Sequence, residues 1–214
     1  MKNRTLDELI EELRKYNISD RTLEAMKVVK REFFVLNKEE AYFNEALPFF
    51  SQTTSQPLVI ANIIDELELT KEDIVLEVGT GSGFQTCLIA LLAKKVYSFE
   101  IDDEIYKAAK ENIAGFMQHN PHIKLDIHLY RMDIFKSQRV IDDIIKLENR
   151  IDKVVFSFAI KKIPDFILKK VNVVIAPIDE SDRYQKLIKM IRKGTGFVSK
   201  DLGYVSFVKA RMEQ

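Results

Sequence analysis

The chain is poor in cysteine, glycine and histidine, and it carries no excess of either charge. Its 214 residues include one cysteine, seven glycines and three histidines. The single Cys87 excludes an internal disulfide, and its apolar neighbours favour a buried thiol in a reducing compartment. Because 33 basic residues balance 33 acidic ones, no net charge attracts nucleic acid or an anionic membrane.

Long hydrophobic runs are also missing from the sequence. No apolar stretch approaches the roughly 18 residues that a membrane-spanning helix needs. The first residues, MKNRTLDELIEELRKY, are charged and lack the apolar core of a signal peptide. With 46% hydrophobic and 31% charged residues, the composition is that of a soluble globular protein. We therefore expect a cytoplasmic protein with one domain over 1–214, divided into an N-terminal part (1–72) and a core (73–214).

The hydrophobic pattern predicts an N-terminal helical extension. Residues 1–35 fit two amphipathic helices, and 36–55 form a long aromatic loop of the kind that usually carries function. A helix over 56–67 follows, with Ser55 as its N-cap and Pro57 in its first turn. The aromatic loop is either a lid over a cleft or a pad that packs the helices on the core, and the sequence leaves both open.

From residue 73 onward, strand and helix patterns alternate. Such alternation predicts an α/β fold with a doubly wound, mostly parallel sheet. The predicted strands are 73–78, 95–100, 124–130, 152–158 and 171–178. The predicted helices are 83–93, 103–116 with Asp102 as cap, 138–147, 163–171 and 183–191. Residues 195–210 predict a closing antiparallel hairpin at the C-terminal side.

Three of the seven glycines lie together after the first core strand, in the stretch VLEVGTGSGF. Gly79, Gly81 and Gly83 permit positive φ angles and a close approach of the backbone to a ligand. A dinucleotide fingerprint would need glycine where Phe84 stands, and the Gly-Lys-Ser/Thr of a P-loop is missing. The remaining pattern, Gly-x-Gly-x-Gly preceded by Glu77, is that of S-adenosylmethionine sites.

The chemistry of this cofactor suits the acidic residues that follow the predicted strands. Glu77 could complement its positive end, while amides of the glycine loop receive its carboxylate. Glu100 could accept both ribose hydroxyls, and Asp133 could meet the adenine edge. The alternative is that the glycines only make a tight turn between strand and helix and that the acidic residues are solvated.

Three segments together resemble the protein-L-isoaspartate O-methyltransferase family. They are AYFNEALPFFSQTTSQP at 41–57, VLEVGTGSGFQT at 75–86 and VYSFE at 96–100. The resemblance implies a Rossmann-like class I methyltransferase fold. It also implies methyl transfer from S-adenosylmethionine to the α-carboxylate of L-isoaspartyl or D-aspartyl residues in damaged proteins and peptides. S-adenosylhomocysteine is then the second product, and neither a metal ion, nucleic acid nor a membrane is involved.

The resemblance also assigns residues to the site. It implies Ser55 as the active-site serine, with Gln52 beside it in the cleft, although helix capping alone would also explain a serine there. The implied cofactor-binding residues are Thr53, Thr54, Glu77, Gly79, Thr80, Gly81, Ser82, Gly83, Glu100, Ile101 and Asp133.

The sequence departs from the family pattern near the implied substrate pocket. Glycines that bacterial members carry before Gln-Thr are replaced by FFS at 49–51, and a small, alanine-rich stretch is replaced by FAIKK at 158–162. Two alternatives to isoaspartyl repair therefore stay open. The chain could methylate another carboxylate or a small molecule, or it could bind the cofactor without turnover.

Overall fold

The computed structural model describes residues 4–181 and 184–210. Parts of three predicted segments lie outside the described residues: 1–3 of the first helical region, 182–183 near the predicted helix 183–191, and 211–214 at the end of the predicted domain. Among the described residues, no helix combines the length and the apolar character needed to cross a bilayer. The same residues contain no group of three or more His, Cys, Asp or Glu side chains arranged to hold a metal ion.

The N-terminal region contains the two predicted helices, α1 (Leu6–Arg14) and α2 (Asp20–Val28). α1 begins with a capping box, in which the Thr5 side chain accepts from the Glu8 amide and the Glu8 carboxylate accepts from the Thr5 amide. Both helices bury the apolar faces that the spacing predicts. Short 3₁₀ turns at Arg31–Phe33 and Lys38–Glu40 follow.

The long loop ends in a small β-hairpin and a helix. Strands β1 (Leu47–Phe49) and β2 (Gln52–Thr54) pair antiparallel, and α3 spans Pro57–Leu67. The prediction that Ser55 caps α3 is wrong, because Gln56 occupies the N-cap and makes no side-chain capping bond. Proline at the first helical position supplies the helical φ angle without needing such a cap.

A seven-stranded sheet forms the core. Its strands are β3 (Ile74–Val78), β4 (Lys95–Glu100), β5 (Ile127–Arg131), β6 (Lys153–Phe156), β7 (Val173–Ser181), β8 (Tyr184–Lys193) and β9 (Gly196–Val205). The helices between them are α4 (Phe84–Leu92), α5 (Asp103–His119), α6 (Gln138–Glu148) and α7 (Asp165–Leu168). The spatial order is β5-β4-β3-β6-β7-β8-β9, with parallel pairing from β5 to β7 and antiparallel pairing beyond. The predicted mostly parallel α/β fold is confirmed.

The sheet packs hydrophobic side chains against helices on both of its faces. β3 is buried along its whole length, and its residues alternate between two clusters. Val75 packs with α1 to α5 on one face, whereas Leu76 packs with α6 and α7 on the other. A strand covered on both sides is apolar on both faces, which is why β3 reads as an apolar run that only Glu77 interrupts.

The C-terminal part differs from the prediction in two respects. The predicted helix at 183–191 is wrong, since its described residues lie in β8. The predicted C-terminal antiparallel hairpin is confirmed, but it joins β8 to β9, so residues 195–210 supply only one of its strands, β9. In β8 both faces are partly buried: Leu187 joins one cluster and Met190 packs against the other. Apolar residues on both faces hide the two-residue alternation and imitate helical spacing.

Candidate active site

The glycine loop connects β3 to α4 at the carboxyl edge of the parallel strands. Gly79, Gly81 and Gly83 have φ angles of 96°, 54° and 88°, in the region that other residues rarely adopt. A Cβ atom on Gly83 would lie 2.9 Å from Ile113 Cγ1, and one on Gly79 would lie 3.1 Å from Phe158 Cδ1. A Cβ atom on Gly81 would meet nothing within 4 Å. A side chain is thus crowded at Gly83 and tight at Gly79, while Gly81 leaves open space above its backbone.

A cavity opens directly beside this loop and encloses about 980 Å³, part of it continuous with solvent. Its walls come from the β1–β2 hairpin, the glycine loop, the ends of β4 and β5, residues 157–158 and residues 208–209. Ten of the sequence-predicted site residues line it: Thr53, Thr54, Ser55, Gly79, Thr80, Gly81, Ser82, Glu100, Ile101 and Asp133. Gln52 lines it too, whereas Glu77 and Gly83 lie outside the lining. Ligands bind at this edge in open α/β sheets.

Glu100, at the end of β4, is fixed by three backbone amides. Its Oε2 accepts from the Gly81 amide at 3.0 Å, and its Oε1 accepts from the amides of Ile101 and Asp102 at 2.9 and 3.1 Å. Burial raises the pKa of this carboxyl, and the three amide donors oppose the rise. A carboxylate has about four acceptor positions, so Glu100 keeps capacity for a ligand hydroxyl.

Glu77 is part of the support beneath the cavity. Its side chain is fully buried and accepts hydrogen bonds from Gln85 Nε2, Thr86 Oγ1 and Ser98 Oγ at 3.0, 2.5 and 2.7 Å. Burial raises its pKa to about 7 despite these donors. The predicted direct contact between Glu77 and the cofactor is corrected, because the side chain is fully buried and lies outside the cavity lining.

Three cavity residues are nevertheless positioned by Glu77, directly or through one intermediate side chain. Gln85 Nε2 bridges Glu77 to Ser157 Oγ, and both Gln85 and Ser157 line the cavity. Thr80 Oγ1 lies 2.7 Å from Ser98 Oγ. Because Ser98 donates its one proton to Glu77, Thr80 donates to Ser98. The acid before the glycine loop therefore orients the loop from below.

Asp133 lies just after the end of β5, and its carboxylate accepts a hydrogen bond from the backbone that follows. Its Oδ1 accepts from the Phe135 amide at 2.9 Å, and only 6% of the residue is exposed. Met132, Ile134 and Phe135 line the same part of the cavity. An acid among apolar side chains is suited to one directed hydrogen bond with a flat, largely apolar group.

The hairpin wall is stabilised from inside by Arg31, a residue that the sequence gives no reason to single out. Its guanidinium donates to the carbonyl oxygens of residues 41, 43, 45 and 55 and to Thr54 Oγ1, at 2.9–3.1 Å. Burial lowers the pKa of Arg31 to about 10, so it stays charged at neutral pH. Four of its five acceptors are backbone atoms, which leave no signature in a sequence.

The tip of the hairpin carries a strained aromatic residue. Phe50 has a φ of 51° and is 42% exposed, with its ring edge-on to Phe49 at 5.0 Å between centroids. Phe49 lines the cavity, and Ser51 Oγ lies 3.5 Å from Asp102 Oδ2 across its mouth. Strain of this kind concentrates at functional sites.

Sequence comparison finds known proteins that are similar to nearly the whole chain. The family model described as "Protein-L-isoaspartate(D-aspartate) O-methyltransferase (PCMT)" matches residues 3–214. A protein-L-isoaspartate O-methyltransferase from Dictyoglomus turgidum is 34% identical over 212 residues, which cover 96% of this chain and 90% of that protein. One from Photorhabdus laumondii is 33% identical over 215 residues, covering 97% and 96%.

A solved structure shares the fold. A Plasmodium falciparum protein described as a protein-L-isoaspartate O-methyltransferase, crystallised with S-adenosyl-L-homocysteine, superimposes with a TM-score of 0.80. The match covers 97% of this chain and 99% of that one at 21% identity. At that identity the likeness concerns the fold.

Proposed function

The chain belongs to the protein-L-isoaspartate(D-aspartate) O-methyltransferase family, and from that premise we propose that it methylates isoaspartyl residues in damaged proteins. The methyl group comes from S-adenosylmethionine, and the acceptor is the α-carboxylate that the isoaspartyl linkage leaves free. One observation supports this function most directly: Ser55 and the glycine loop line the same cavity from two sides. A peptide carboxylate beside Ser55 is thus placed next to a cofactor held by the loop.

The residues of the cavity fit S-adenosylmethionine. The free acceptor position of Glu100 suits a ribose hydroxyl, and the apolar residues around Asp133 suit an adenine ring. Gly81, with open space above it, permits the close approach of the amino-acid part. Thr53, Thr54, Thr80, Ser82 and Ile101 complete the proposed cofactor wall, which when filled supplies an electrophilic methyl group on a positively charged sulfur.

The chain's own residues act by positioning. A carboxylate with a reference pKa near 4 is ionised at neutral pH and needs no general base. Ser55 donates a hydrogen bond that orients the carboxylate for in-line attack. Phe49 and Phe158 form apolar walls that exclude water from the reacting atoms. Orientation and water exclusion together can contribute several kcal/mol to catalysis.

The test uses methyl-labelled cofactor and two peptides that differ only in aspartyl or isoaspartyl linkage. We expect base-labile methyl ester on the isoaspartyl peptide alone. Ser55→Ala should lower turnover at least tenfold and change the calorimetric affinity for S-adenosylhomocysteine less than twofold. Label on neither peptide, with intact cofactor binding, would contradict the proposed substrate.

A second candidate keeps the cofactor and changes the acceptor. Phe49 and Phe158, which belong to the two segments that depart from the family pattern, both line the cavity. Bulky rings there narrow the space for a peptide and favour a smaller carboxylate. If neither peptide is labelled, the same assay with a panel of small carboxylic acids tests this candidate.

A further inference from the structure

Arg31 is a buried cation with no carboxylate partner among the described residues. Only 2% of the residue is exposed, and the acceptors of its guanidinium are neutral oxygens. A buried charge is tolerated when hydrogen bonds replace its hydration. Nη1 and Nη2 of Arg31 meet that condition with five hydrogen bonds, whereas its buried Nε has no partner among the described residues. Two of the bound residues, Thr54 and Ser55, line the cavity, so the positive charge lies directly behind its wall.

The hydrogen bond to Thr54 determines where the Thr54 proton can go. Arg31 Nη2 lies 2.9 Å from Thr54 Oγ1, and a guanidinium can only donate. Thr54 therefore accepts, and its own hydroxyl proton remains to be donated elsewhere. Arg31 is the one hydrogen-bond partner that the described residues provide for this oxygen.

Thr54 is 6% exposed and lines the cavity. A buried hydroxyl proton without an acceptor is costly, so an acceptor supplied by a ligand would be favoured. The cation behind the hydroxyl polarises it, and polarised donors prefer negatively charged acceptors. Both proposed reactants carry such an acceptor: the isoaspartyl α-carboxylate and the carboxylate of the cofactor's methionine part.

We infer that the Thr54 hydroxyl, positioned and polarised by Arg31, donates a hydrogen bond to a ligand carboxylate in the cavity. Thr54 is then a carboxylate-binding residue that acts beside Ser55, and Arg31 is its positioning residue. The choice between the two carboxylates rests on the proposed function, because only one of them belongs to the substrate.

The experiment measures a preference rather than an affinity alone. Calorimetry compares two ligand pairs: an isoaspartyl peptide against the same peptide with its α-carboxylate replaced by a carboxamide, and S-adenosylhomocysteine against its decarboxylated analogue. The peptides are titrated into protein saturated with S-adenosylhomocysteine. The variants are Thr54→Val, which removes the hydroxyl at nearly constant shape, and the control Thr54→Ser, which keeps it.

We expect Thr54→Val to reduce the preference for the carboxylate member of one pair about tenfold, as the loss of one charge-assisted hydrogen bond implies. Thr54→Ser should stay within about twofold of the wild type. The affected pair identifies the carboxylate. Equal weakening of both members of each pair, or no change, would overturn the inference, since a packing role does not distinguish carboxylate from carboxamide. If the wild type labels no isoaspartyl peptide, the proposed function fails, while the cofactor pair still decides whether Thr54 is a donor.

Discussion

The buried carboxyl of Glu77 should make the stability of the fold depend on pH. Its pKa is about 7 in the folded protein against an ordinary value of 4.5, because burial disfavours the charged form. Between pH 4.5 and 7 the folded state therefore holds a proton that the unfolded state has released. By linkage, the free energy of unfolding falls as pH rises through this window, and the full loss is present above about pH 8.

The size of the effect follows from the two pKa values. One pKa unit corresponds to about 1.4 kcal/mol, so ionised Glu77 costs the folded state roughly 3 kcal/mol. Between pH 5 and 8, where most of this titration occurs, the expected loss is about 2–3 kcal/mol. Glu77→Gln is uncharged at every pH and should lack this loss. Its amide nitrogen replaces an accepting oxygen and so shifts the free energy of unfolding by an amount that does not depend on pH.

Reversible urea unfolding of the wild type and Glu77→Gln at several pH values between 5 and 8 measures the effect. Other carboxylates titrate equally in both proteins, so the informative quantity is the difference between the two free energies of unfolding. That difference should move by about 2–3 kcal/mol in favour of the variant as pH rises. Two parallel curves would refute the reasoning and show that the hydrogen bonds from Gln85, Thr86 and Ser98 fully offset burial.

The other predictions concern the cavity walls. Gly83→Ala should lower the free energy of unfolding by about 2–3 kcal/mol, because its Cβ would lie 2.9 Å from Ile113 at a φ of 88°. Gly81→Ala should lower the free energy of unfolding by only about 1 kcal/mol. It should weaken S-adenosylhomocysteine binding more than Gly83→Ala does, because it adds an atom to the cavity wall. Denaturation and calorimetry would contradict this if Gly81→Ala were the more destabilising variant or Gly83→Ala the weaker binder. Phe50→Asn should change stability by less than about 1 kcal/mol, because asparagine tolerates the positive φ while the ring contact is lost. The same variant should raise the peptide KM, and an unchanged KM would show that the exposed ring does not contact substrate.

The parallel core could be predicted from the sequence because its signals are local and repeated. The apolar run of β3 and the spacing of glycines after it specify a buried strand and a tight loop, whatever lies elsewhere in the chain. The same holds for α5, whose cap Asp102 accepts from the amides of Glu104 and Ile105. Local chemistry was enough in both cases.

The errors arise where distant segments decide the outcome. β8 is extended because it pairs with β7 on one side and β9 on the other, and its inward Lys189 is matched by Glu66 and Glu68 from the region of α3. Glu77 is turned inward because Ser98 and Thr86 offer donors there. None of these partners can be inferred from spacing along the chain, and the same is true of Arg31 and the hairpin.

The walls of the cavity have a consequence for how the protein is made. One rim comes from residues 49 and 52–55, and another comes from Val208 and Lys209, which reach it through a β-bridge between Ala159 and Lys209. During translation the first rim and the glycine loop leave the ribosome before the second, and a domain folds as a unit. A nascent chain that has not reached residue 208 therefore holds the glycine sequence without the wall that completes the pocket. The cavity is complete only once Val208 and Lys209 have joined the core.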